Sequence, residues 1–296
     1  MRENRTGHNG GTRAGIERRP HARGRGVRTL LTAAVLSAAG IGATGCVPST
    51  MEEVTLGAQY ADQINRQLPL VTDPEVMRYI TVLGDSIARV ADQRNLDWHF
   101  YVVDQMEINA FAVPGGYIYV NRGLIERSET LSELAGVLGH EIGHVTERHS
   151  MEQMAKAQQA NVGLTIGCIL APQVCNSGVG SAAVQLGAGG LFAKFSRDDE
   201  READRVAIDF VVRAGIDPRG IPTMFRTLLA ERQRRPDALE GMFSTHPLAE
   251  DRVAETEAII NAIDPVILQS LTTDTPAFQQ FKRRLKALPP SPTGTR

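Results

Sequence analysis

His140-Glu141-Ile142-Gly143-His144 sets two imidazoles four residues apart with a carboxylate next to the first. On a helix, positions i and i+4 share a face, so both rings can reach one divalent cation; zinc takes histidine nitrogen at about 2.0–2.1 Å. Glu141 is rotated about 100° from His140. From there it can reach a metal-bound water without becoming a ligand. The chemistry such a trio supports is metal-assisted hydrolysis with Glu141 as general base. By composition the string arises by chance in roughly one chain in a hundred of this length. A surface helix with solvated His and Glu is the competing reading, and it fits poorly because the run 131–145 is strongly apolar. Gly143 within that run costs about 1 kcal/mol relative to Ala. Close packing against another element at the site would explain the cost.

A catalytic zinc needs a third protein ligand and an open position. His149 is nearest in the chain, but it stands nine residues after His140, close to 180° around a continuous helix. It reads as a polar residue of the same helix with a structural hydrogen bond. The better candidate lies in Ser196-Arg197-Asp198-Asp199-Glu200-Arg201-Glu202-Ala203-Asp204, a capped helix start with an acidic first turn. Glu200 and Asp204 share a face at i, i+4, and Glu202 points elsewhere. Glu200 can ligate the metal and Asp204 can orient a ligand imidazole. Alternatively these acids only complement the helix dipole.

The elements around these residues are mainly helical. Residues 51–68 form an amphipathic helix. Asp73-Pro74-Glu75 starts another, with an apolar stripe at Val76, Ile80, Leu83, Ile87 and Val90. The runs 98–103, 109–113 and 117–120 read as strands, the last two a hairpin around Pro114-Gly115-Gly116. The expectation is an α+β fold, mainly helical, with a small and mainly antiparallel sheet. Residues 132–157 read as one long helix carrying Leu134, Leu138, Ile142 and Val145 on its buried side, followed by helices at 196–214, 221–234 and 247–263. Residues 157–193 hold no charge, but Pro172, Asn176 and many Gly interrupt them, so neither half makes a good span. A Gly-rich lid, a buried helical pair and an interfacial loop all remain open there. Cys168 and Cys175 within it either form a small loop disulfide or stay buried thiols.

The chain has 296 residues, 42% apolar and 22% charged, with a net charge of −2. That composition excludes a disordered, collagenous or multi-span membrane protein. Residues 1–28 hold eight Arg against two Glu, and 29–45 hold no charge, so the remaining body is mildly acidic. An acidic body gives no support for nucleic-acid binding. A basic leader, a short apolar run and small residues make a secretory signal. Its end, Ala43-Thr44-Gly45-Cys46, resembles a bacterial lipobox, although Ala43 stands where Leu is usual. On that reading Cys46 is lipidated and anchors the mature protein, and Val47 after it weakly favours outer-membrane sorting; ordinary cleavage nearby is the alternative. The domain expectation is a signal at 1–45, one catalytic domain at 46–288 and a disordered tail at 289–296.

The two motifs together resemble the HtpX-like zinc metallopeptidases, gluzincin relatives of the CAAX prenyl protease and Oma-type proteases. Asn109-Ala110-Phe111, Pro114-Gly115-Gly116, Gly123-Leu124 and Thr245-His246-Pro247 match the same pattern, so the resemblance runs from about 109 to 252. It implies a zincin-like fold holding one Zn²⁺ on His140, His144 and Glu200, with Glu141 as catalytic base. It also implies a periplasmic protease that clears misfolded or unassembled envelope proteins, of the type without C-terminal tetratricopeptide repeats. His246 keeps three readings: an oxyanion donor, an extra zinc ligand that plugs the open position, or the cap of a helix beginning at Pro247. Two other functions compete: a zinc-containing chaperone or assembly factor that holds unfolded chains without hydrolysis, and a peptidase of small peptides.

Overall fold

The computed structural model describes residues 48–156, 194–247 and 250–289. Ser49 opens α1 (Thr50–Gln67) with a capping box: its side chain accepts from Glu52 N–H while Glu52 accepts from Ser49 N–H. Asp73 caps α2 (Pro74–Ala91) by accepting from the N–H groups of Glu75 and Val76, with Pro74 in the first turn. Val76, Ile80, Leu83 and Ile87 of the expected stripe are buried; each contributes about 1.5–3 kcal/mol by leaving water.

The strands are β1 (His99–Val103), β2 (Ala110–Val113) and β3 (Tyr117–Asn121). β2 and β3 pair antiparallel from Ala110↔Val120 to Val113↔Tyr117. Gly115 and Gly116 make the turn at φ +81° and +101°, and a Cβ on Gly116 would stand 2.8 Å from Asp97 O. β1 pairs with β3 in parallel, giving the order β1-β3-β2. The small sheet is therefore mixed, with one antiparallel and one parallel pairing. The hairpin occupies one edge of β3, and β1 takes the other. One face carries Phe100, Val102, Ile118 and Val120 into the main core. On the other, Tyr101, Tyr119 and Phe111 stack across the strands with centroids 4.9 and 4.8 Å apart, under Tyr60 and Ile64 of α1.

α3 (Arg122–Arg127) leads to α4 (Leu131–Thr146), which is buried from Leu131 to Val145. Glycines on α4 let its neighbours approach. A Cβ on Gly143 would meet Val206 Cγ2 at 2.9 Å and Ala203 O at 3.2 Å, and one on Gly136 would meet Ile221 at 2.7 Å. This is the close packing expected of Gly143.

The single long helix expected over 132–157 is broken. α4 ends at Thr146, Arg148 takes φ +62°, and helix resumes over 149–156. A non-glycine residue in that conformation costs about 1–3 kcal/mol unless its surroundings hold it there. The buried carboxylate of Glu53 does so. It accepts from Arg148 Nε and Arg94 Nη1, both at 2.8 Å, and from Gly115 N–H at 3.3 Å. Arg94 Nη2 also donates to Val145 O at 2.7 Å, so α1 is tied to the end of α4.

α5 (Arg197–Arg213) starts at a Ser196 capping box with Asp199. α6 (Gly220–Arg234), a 3₁₀ turn (Pro236–Leu239), α7 (Glu240–Thr245) and α8 (Glu250–Asn261) follow. α8 is described from Glu250 and lies within the helix expected over 247–263. Two further helices, unforeseen like α3 and α7, follow: α9 (Pro265–Ser270) and α10 (Pro276–Ala287), each opened by a cap residue and a proline, Asp264-Pro265 and Thr275-Pro276. α10 folds back on α2, where Phe281 stacks on Tyr79 at 4.4 Å. No helix among the described residues is long and apolar enough to cross a membrane. The leader 1–45, Cys46, the segment 157–193 with Cys168 and Cys175, and 290–296 lie outside the described residues.

Candidate metal centre

α4 and α5 pack along the glycine face of α4, and this brings the two motifs together. His140 Nε2 and His144 Nε2 are 3.0 Å apart. Glu200 reaches them from α5, with Oε2 3.6 Å from His140 Nε2 and Oε1 3.4 Å from His144 Nε2. His246, the residue that ends α7, brings Nδ1 to 3.4 Å from His140 Nε2 and 3.0 Å from Glu200 Oε1. One donor atom from each of the four residues lies within 4.8 Å of every other, and all four residues are buried.

This set fits zinc. Ligands bonded at about 2.0–2.1 Å in a tetrahedron stand roughly 3.3 Å apart, and the contacts above run from 3.0 to 3.6 Å. Charge agrees. Among the described residues the carboxylates of Glu141, Glu200 and Asp204 gather around the imidazoles, and one buried guanidinium, Arg252, faces Glu200 and Asp204. Negative charge is left in excess in a buried place, which is costly unless a metal cation or a protonated imidazole joins it. Finally, neither carboxylate oxygen of fully buried Glu141 has a hydrogen-bond partner among the described residues. A bound water or ion would meet that need.

The electrostatics prepare the donors. Burial holds the His144 imidazole well below its ordinary pKa, so it stays neutral with a lone pair to give. Burial works against ionising Glu200, but the charge of His246 and its hydrogen bond outweigh it and keep the carboxyl well below the usual range. His246 is pushed upward: Glu141 and Glu200 overcome the effect of its burial. In both cases the carboxylates call for positive charge at this point.

Residues 74–260 match the family model of Peptidase family M48. The chain belongs to that family. The matched stretch contains all four donors, Glu141, Asp204 and Arg252. The chain is 34% identical over 233 residues to the beta-barrel assembly-enhancing protease of Escherichia coli (strain K12), covering 76% of this chain and 47% of that one. It is 35% identical over 150 residues to the metalloprotease YcaL of the same strain, covering 49% and 56%. It is 33% identical over 171 residues to the mitochondrial metalloendopeptidase OMA1 of Arabidopsis thaliana, covering 57% and 33%. The chain spans about half the length of the first of these.

Within this M48 centre each residue singled out by the sequence has a definite place. Asp204 Oδ1 lies 2.9 Å from His140 Nδ1, behind the ring. Glu141 Oε1 is 3.8 Å from His246 Nε2. Glu202 points away from the donors, with its side chain half exposed. His149 is outside the donor set, and its Nδ1 meets Nδ1 of His144. The His246 N–H donates to Met242 O and closes α7.

Arg252 is the residue the sequence reading passed over. It donates to both oxygens of Asp204 and, through Nη1, to Glu200 Oε2. A lone arginine in the acidic opening of α8, six residues after His246, was the available signal. Beside the donors an apolar pocket lined by Val137, Ile221, Met224, Leu228, Met242 and Phe243 opens toward Glu141 and His246.

Proposed function

We propose that this chain is a zinc-dependent endopeptidase of the bacterial cell envelope that degrades misfolded or unassembled envelope proteins. The observation that carries the reading is Glu141: a fully buried carboxylate, with no hydrogen-bond partner among the described residues, beside three imidazoles and a second carboxylate. A site that only held metal for structure has no need of such a group.

On this reading His140, His144 and Glu200 hold the metal, and Asp204 orients His140 from behind. Zinc, when bound, supplies Lewis-acid activation of water and of the scissile carbonyl. Glu141 takes the proton of the attacking water and passes it to the leaving amine. β2, an edge strand of the sheet packed near α4, is where an extended substrate would pair with the sheet. That mode reads backbone more than side chains and suits unfolded chains. The apolar lining beside Glu141 favours a nonpolar residue next to the scissile bond. The position of His246 Nδ1 among the donors favours the extra-ligand reading over an oxyanion donor. Its imidazole then has to move aside before a carbonyl enters. The name of one relative, a beta-barrel assembly-enhancing protease, supports an envelope role. We place the mature protein in the periplasm, on the outer membrane through a lipid on Cys46.

Digestion of unfolded casein and of short peptides, with and without chelator, tests the activity. Chelator-sensitive cleavage of casein is expected. Zinc-loaded protein that binds casein without cutting it would make the chain a holding factor, and cleavage of short peptides alone would make it a small-peptide peptidase.

A further inference from the structure

His144 turns Nε2 to the donor cluster and Nδ1 away from it, onto Nδ1 of His149 at 2.9 Å. Two imidazole nitrogens at that distance share one proton. Were it supplied by His149, His144 would accept at Nδ1 and carry its own proton on Nε2, where a metal could not then bind. When His144 supplies it, Nε2 keeps the lone pair that a metal needs.

The other side of His149 bears on which arrangement holds. Its Nε2 is buried with no hydrogen-bond partner among the described residues, and the nearest carboxylate oxygen, Glu202 Oε2, stands 3.5 Å away. A carboxylate at that range repels a lone pair and attracts an N–H, so a single ring proton on His149 belongs on Nε2 and Nδ1 is left as an acceptor. The rings cannot easily turn away. His149 is buried and stands edge-on to His144, while Phe195 stacks on the His144 ring with centroids 3.9 Å apart. The chain break at Arg148 does the aiming. A continuous helix would carry His149 to the far side from His140; the left-handed residue turns it back.

We infer that His149 is a positioning residue that fixes the metal-binding tautomer of His144. The inference rests on the reading of His144 as a zinc ligand. His140 is served by the carboxylate of Asp204. For His144 an imidazole does the same work, without adding a further charge to a centre that already gathers Glu141, Glu200 and Asp204.

Two variants and one spectrum test this. Asn at 149 places Oδ1 where Nδ1 branches from the ring, and so keeps an acceptor; Leu fills similar space without one. In zinc competition against a chromophoric chelator, His149→Leu should bind about 10–100-fold more weakly than wild type, and His149→Asn within about threefold. The zinc-free melting temperatures of the two should agree. Leu binding as tightly as wild type, or Asn losing as much as Leu, overturns the inference. Nitrogen-15 NMR of the zinc-loaded wild type reads the tautomers without any variant. A proton on Nδ1 of His144 and on Nε2 of His149 is expected. A proton on Nδ1 of His149 in zinc-loaded protein overturns the inference alone, whereas wild-type protein that takes up no zinc overturns the metal-site reading with it.

Discussion

Arg252 and Asp204 meet through two parallel bonds: Nε donates to Oδ2 and Nη2 to Oδ1, both at 2.7 Å. Both side chains are buried, and the guanidinium also lies over the ring of Phe225 at 4.7 Å. Its third nitrogen, Nη1, donates to Glu200 Oε2. One cation on α8 therefore fixes the two carboxylates that α5 turns toward the histidines.

Removing one partner of a buried pair leaves the other charge uncompensated. Arg252→Ala should lower the stability of the zinc-free protein by about 3–5 kcal/mol, read from urea unfolding curves. Arg252→Lys should recover only part of this, because an ammonium cannot grip two oxygens in a plane. A loss below about 1 kcal/mol for the alanine variant would remove the clamp from the account.

Glu141→Gln should keep zinc and lose hydrolysis. The amide preserves shape but cannot accept the water's proton, so turnover should fall by at least about 10²–10⁴-fold. Metal content and casein cleavage measured on one preparation decide the matter. Near-normal turnover at full zinc occupancy would exclude Glu141 as the base.

Glu200→Ala, which leaves only the three imidazoles, should weaken zinc binding by more than the about 10–100-fold expected of Asp204→Asn. Asp204 also sets a pH dependence. Burial opposes its ionisation, but the contact with His140 and the charge of Arg252 outweigh this and hold its pKa below the ordinary 3.8. As pH falls, the unfolded chain therefore takes up this proton first. The stability Asp204 contributes is complete above its unfolded value and is lost as pH drops through the lower folded value. Unfolding of zinc-free protein across about pH 2–6 should show an acid limb that flattens in Asp204→Asn.

Cys46→Ser should free the protein from the membrane. On the proposed reading a lipid on Cys46 is the anchor, and each buried acyl CH₂ contributes about 0.8 kcal/mol, so several chains hold firmly where one does not. Wild type should stay with membranes in high salt, and the variant should appear in the soluble envelope fraction or as unprocessed precursor. Mass spectrometry of the mature N-terminus checks the lipid directly. A wild-type protein that starts elsewhere, or starts at Cys46 without lipid, refutes the anchor.

The local order of the chain was legible in its residues wherever the cause lay within a few positions. The i, i+4 spacing put His140 and His144 on one face, and the same spacing paired Glu200 with Asp204. Asp73 and Ser196 announced their helices because a cap needs only the next two or three N–H groups. Gly143 declared a close neighbour without naming it. Tertiary structure alone decided which partner came: Val206 and Ala203 of α5, and with them Glu200. It decided that α4 stops at Thr146, since Arg148 takes its left-handed turn against Glu53, ninety-five positions away. It decided that β1 joins β3 in parallel, a choice made by the free edge of a hairpin rather than by any residue of β1. It placed Arg252 over Asp204 and His149 behind His144. Such contacts depend on how whole helices pack, and helical periodicity carries the orientation of a side chain only as far as its own helix runs.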